Sequence, residues 1–89
     1  MKLAVEMAVM ELDGEISAVA VGDDSANFRG MLRLNETAAE IIRMLENDIT
    51  PQEMHRALCE KYTDSDPDEV AKLLVDFIIK LNAEGLLAK

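Results

Sequence analysis

His55 and Cys59 come nearest to chemistry by type and spacing. Four residues apart on a helix, they share a face, which can pair two metal ligands or set a thiol beside a base. A metal needs more ligands, and the chain has no other His or Cys. A nucleophilic Cys–His pair needs a third group to orient the base, and no motif supplies one. Cys59 then reads as a small buried hydrophobe and His55 as a surface residue. The carboxylates fall in helix caps and on exposed faces, where ordinary helix electrostatics accounts for them. No Gly-rich loop could cradle a phosphate. The sequence therefore points away from an enzyme and away from a bound metal or cofactor.

Asp24-Ser25-Ala26 has a faint likeness to the Asp-Ser-Leu attachment site of acyl carriers. That site opens a helix in a four-helix bundle. Here Ser25 lies between two strand-like runs and no Leu follows it. Eighty-nine residues suit one domain, 1–89, with a small core to which nearly every large apolar side chain must be committed. A hydrophobic share of 49% argues against a disordered tail. The net charge of −9 repels phosphate backbones and anionic lipid and favours basic or neutral partners. A lone cysteine excludes an internal disulfide, and no basic segment leads an apolar stretch at the start. No apolar run is long enough to span a bilayer. The expected location is the cytoplasm, with no membrane and no nucleic acid as partner.

The elements that must position any site fall into two parts. Val5 to Leu12 and Glu15 to Val21 read as strands joined by Asp13-Gly14, a tight-turn signal. Residues 22–27 form a polar loop. Phe28 to Leu34 reads as a third strand, with Phe28, Leu32 and Leu34 on one face and Arg29, Met31 and Arg33 on the other. Three helices follow. The first runs from about Glu36 to Glu46, capped by Asn35, with a possible Thr37–Glu40 box and a buried stripe of Ala38, Ile41, Ile42 and Leu45. Thr50-Pro51-Gln52-Glu53 opens the second, whose apolar side is Met54, Ala57, Leu58 and Tyr62. Asp66-Pro67-Asp68-Glu69 opens the third in the same way, and Gly85 stops it. This is an α+β chain: a three-stranded antiparallel sheet followed by three helices.

The third helix has too wide an apolar arc. At about 100° per residue, Leu73, Leu74, Phe77 and Leu81 fall within about 60° of Val70 and form the core face. Ala71 and Ile78 lie to one side, and Val75 and Ile79 further round. The terminal segments could cover this surplus. So could a partner peptide or a second protomer, which leaves a homodimer open. The third strand is an edge of the meander, and its unpaired backbone groups can accept an extended peptide beside a helix groove. The candidate peptide-binding residues are Phe28, Arg29, Gly30, Met31, Leu32 and Arg33 on the strand, with Ala71, Leu74, Val75, Ile78 and Ile79 on the helix. Arg29 and Arg33 would select acidic ligand residues. A winged-helix DNA binder and a plain dimerisation module are the rival classes. The third helix offers DNA only Lys72 and Lys80.

Met7 through Ile16, Val21-Gly22, Asn27 through Met31, and the joint Leu34-Asn35-Glu36-Thr37-Ala38 resemble the PqqD-like family, as do the helical half and Gly85-Leu86-Leu87. The resemblance covers almost the whole chain, and the Leu-Asn-x-Thr-Ala joint is its most specific piece. It implies a winged-helix-like domain. It also implies binding of the leader region of a ribosomally made precursor peptide, as an added strand beside the third strand and against the third helix. The peptide would be delivered to a modifying enzyme, often a radical S-adenosylmethionine (SAM) enzyme that owns the iron–sulfur cluster. The chain departs from the family pattern at Met10-Glu11, Ile42 and Val19-Ala20-Val21-Gly22. The pathway, pyrroloquinoline quinone synthesis or another, stays open.

Overall fold

The computed structural model describes residues 1–22 and 30–88. Three strands, β1 (Met7–Leu12), β2 (Glu15–Ala20) and β3 (Met31–Leu34), form an antiparallel sheet in that order. Three helices follow: α1 (Glu36–Met44), α2 (Pro51–Lys61) and α3 (Pro67–Ala83). This is the expected α+β arrangement, with elements trimmed at their ends. Phe28, Arg29 and most of the polar loop, including Asp24-Ser25-Ala26, lie outside the described residues.

The β1–β2 turn forms where Asp-Gly predicts it. Asp13 and Gly14 have φ of 53° and 80°, the double positive φ of a tight hairpin turn. The sheet buries one face. Met7, Ala18, Leu32 and Leu34 point into the core, while Met10, Leu12, Met31 and Arg33 stand exposed.

Helix α1 holds the core together. Ala38, Ala39, Ile41, Ile42 and Leu45 are buried against the sheet and the other helices. The side chain of Asn35 caps the helix by accepting from the Ala38 N–H at 2.8 Å. The anticipated Thr37–Glu40 box does not form. With Asn35 already on the first turn, Glu40 binds Arg43 and Lys61 instead. Thr50 and Glu53 make the full reciprocal box at the start of α2. At α3 the Asp66 side chain accepts from Asp68 rather than closing a box with Glu69. On α2, Ala57 is exposed rather than packed.

The terminal segments pair with each other. Leu3 bridges Leu87, and Leu3 and Leu86 are buried in the core. The Leu3 N–H also donates to the Leu45 carbonyl. No described helix is long and apolar enough to cross a membrane.

Through the reciprocal box Thr50 satisfies the Glu53 N–H at the start of α2, and its own N–H is satisfied by the Glu53 side chain. Thr50→Ala is expected to cost about 1 kcal/mol in urea unfolding, with far-UV circular dichroism of the native state unchanged.

Candidate functional site

The hydrogen-bond parity of the sheet decides which backbone groups face its open edge. Leu12 and Glu15 close the tight hairpin as a hydrogen-bonded pair. Met10–Ser17 and Ala8–Val19 follow at steps of two, and the Val21 N–H donating to the Glu6 carbonyl continues the series. Glu15, Ser17 and Val19 thus bond to β1, which leaves Ile16 and Ala18 to bond with Leu34 and Leu32. The N–H and C=O groups of Met31 and Arg33 therefore point away from β2. No described strand flanks them there. Their side chains lie on the exposed sheet face.

Helix α3 packs on α1 and α2 and brings its backbone close to no described strand. A cleft of about 190 Å³ opens along one side of α3. Ala38 and Ile41 of α1 line it with Asn35 and Thr37 of the strand–helix joint, and Leu73, Asp76 and Phe77 face them from α3. The cleft is apolar at its base with one carboxylate on its wall. A larger hollow of about 670 Å³ borders the N-terminal segment, the end of α1 and β1, the strand at the other sheet edge. Its walls are mostly the chain's own terminal segments.

A family model described as coenzyme PQQ synthesis protein D (PqqD) matches residues 6–87. The chain belongs to the PqqD family. Among solved structures, that of TbiB1 in complex with the TbiA(beta) leader peptide superposes with a TM-score of 0.70. It is 24% identical, over 98% of this chain and 94% of that one, and shows the shared fold. No curated protein matches the chain.

On the PqqD scaffold the sequence-derived site residues separate. Gly30, Met31, Leu32 and Arg33 lie together at the sheet edge, with Met31 and Arg33 outward and Leu32 buried. Leu74 is a core residue, and Ala71 and Ile78 are half-buried. Val75 and Ile79 are 52% and 60% exposed, yet none of these five α3 residues lines the cleft. The cleft takes Leu73 instead, which was expected in the core and is 50% exposed. The buried residues Val70, Leu74 and Leu81 centre the core about 20° past Val70, so Leu73 falls off its opposite shoulder. Its neighbours on the helical net, Asp76 and Lys80, carried that signal in the sequence.

His55 and Cys59 are half-buried and close, with Sγ 3.5 Å from Nε2. The same Nε2 lies 2.9 Å from the Pro67 carbonyl, which can only accept. The Nε2 proton is thus engaged in tying α2 to α3, so Nε2 is not available as a base toward the thiol. Among the described residues no three His, Cys, Asp or Glu side chains are grouped to hold a metal.

The polar tie between α1 and α2 is Glu40. Lys61 Nζ lies 2.8 Å and Arg43 Nη1 3.0 Å from its Oε1. The Lys61 hydrogen bond, aided by Arg43, holds the Glu40 carboxyl below its ordinary 4.5 against the opposing effect of burial. A lowered native value means stability that is full above the unfolded value and lost as pH falls through the native one. Glu40→Gln is therefore expected to lower the melting temperature slightly at pH 7. Thermal scans should show that deficit vanishing below the native carboxyl value. A deficit that persists at low pH would assign the loss to packing.

Proposed function

We propose that this PqqD-family protein is a non-catalytic clamp for the leader region of a ribosomally made precursor peptide. It binds the peptide as a fourth strand on β3 and presents it to a modifying enzyme, for which a radical SAM enzyme is the expected type. The observation that carries the reading is the outward-facing backbone of Met31 and Arg33, on a strand that runs into the Asn35–Thr37 joint lining an apolar cleft. Main-chain pairing supplies affinity with little demand on sequence, and the cleft supplies a side-chain anchor. The solved TbiB1 complex, a protein of the same fold bound to a leader peptide, supports it. Leu73 and Phe77 form the helix wall of the proposed site. Val75 and Ile79 lie on a separate exposed ridge. A DNA-binding role would set a net charge of −9 against every phosphate.

The test is binding of synthetic leader segments, taken from short peptide genes beside the protein's own, by fluorescence anisotropy. Met31→Pro removes an outward N–H at the start of an edge strand, where proline is tolerated. It should keep the fold and weaken binding about tenfold relative to Met31→Ala, the loss of roughly one hydrogen bond. Leu32→Pro removes a bond to β2 and should destabilise the sheet. Equal binding by the Met31→Pro and Met31→Ala proteins would contradict strand addition at β3.

The helix wall gives a separate expectation. Leu73→Glu places a charge on a half-exposed position, so urea stability should change by less than about 0.5 kcal/mol. Peptide affinity should fall, and fall further than in Val75→Glu.

A further inference from the structure

We propose that the open edge of β3 selects a peptide segment reading apolar–acidic–apolar–apolar, with its acidic residue paired to Arg33. This rests on the strand-addition reading above and assigns it a sequence preference.

The register supplies the pattern. The sheet is antiparallel throughout, and an added strand that continues it runs antiparallel to β3. Read from its N-terminal end, such a peptide sets successive residues opposite Leu34, Arg33, Leu32 and Met31. Its side chains alternate between the helix side and the outer face in step with β3.

The residue opposite Leu34 projects to the helix side, next to the Asn35–Thr37 joint where the cleft begins. Ala38, Ile41, Leu73 and Phe77 give that cleft apolar walls, and its size suits one aliphatic side chain. Asp76 on the wall repels a carboxylate there. The residue opposite Leu32 projects to the same side, the face on which Leu32 and Leu34 are buried, and is apolar because it extends that face.

The residue opposite Arg33 projects to the outer face. The Arg33 side chain is 82% exposed, and Glu15, itself solvated, approaches only to 3.9 Å. Arg43 and Lys61, by contrast, are held by Glu40. Arg33 is thus a cation at the open edge of a chain of net charge −9 with most of its fork of donors exposed. A carboxylate directly across the strand pair lies within reach of it. The last residue faces Met31, which is 61% exposed and follows Ala8 and Val19 in one cross-strand row. An apolar side chain extends that row.

The experiment selects a displayed library of random twelve-residue peptides on the full chain. The best binder is then synthesised with Glu, Gln or Lys at the acidic position and titrated into wild type and Arg33→Glu. Enrichment of the pattern is expected. The Glu peptide should bind wild type about tenfold more tightly than the Lys peptide, and the order should reverse with Arg33→Glu. Binders without an acidic preference, or an unchanged order with Arg33→Glu, would overturn the pattern while leaving strand addition standing. Enrichment of no peptide would overturn both.

Discussion

One helix sets the geometry of everything else. Helix α1 packs on all three strands and on both other helices. Its buried stripe, Ala38 through Leu45, fills the space that would otherwise let α3 close on the sheet. The small residues Ala38 and Ala39 let the sheet come close, and the larger Ile41, Ile42 and Leu45 fill the interior. With α1 in between, α3 stands off from the strands, and a cleft opens between α3 and α1 at the joint that follows β3. A chain of 89 residues has few ways to leave an apolar groove open without losing its core. Placing one helix beneath the groove achieves both.

The second consequence is electrical and local. The two sheet edges are not alike. Near β1, Glu11 shares a pocket with Glu36 and Glu40, and the two cations there, Arg43 and Lys61, are already held by Glu40, whereas β3 carries Met31 and an Arg33 that Glu15 approaches only to 3.9 Å. A peptide approaching the open backbone of β3 meets an apolar side chain and a cation, in a molecule otherwise dominated by negative charge. In the proposed binding mode these side chains would draw the peptide to this edge, and their own backbone groups would pair with it, so that one place would serve attraction and main-chain pairing together.

Much of this was legible in the sequence because local signals agreed with one another. Asp13-Gly14 demanded a hairpin, Thr50 through Glu53 demanded a helix start, and Asn35 capped α1 as its type suggests. The faces of β3 followed from simple alternation. The helix wall of the site was less legible. Val70, Leu73, Leu74, Phe77 and Leu81 look like one stripe, and only the position of α1 decides where that stripe is centred. Leu73 left the core for the cleft because α3 packs on two helices and no strand. The surplus apolar arc was real, but tertiary packing chose which side of it faced the groove. The Thr37–Glu40 box failed for a similar reason, since Lys61 reaches Glu40 only once α2 has docked.

The central claim is that an extended peptide completes the β3 edge, and amide hydrogen exchange measured by NMR tests it most directly. In the protein alone the Leu32 and Leu34 amides should be protected and those of Met31 and Arg33 should exchange rapidly. With saturating leader peptide, Met31 and Arg33 should become protected. Unchanged exchange at these two amides, with new protection at Met7, Val9 and Glu11, would place the peptide on the opposite edge and contradict the account.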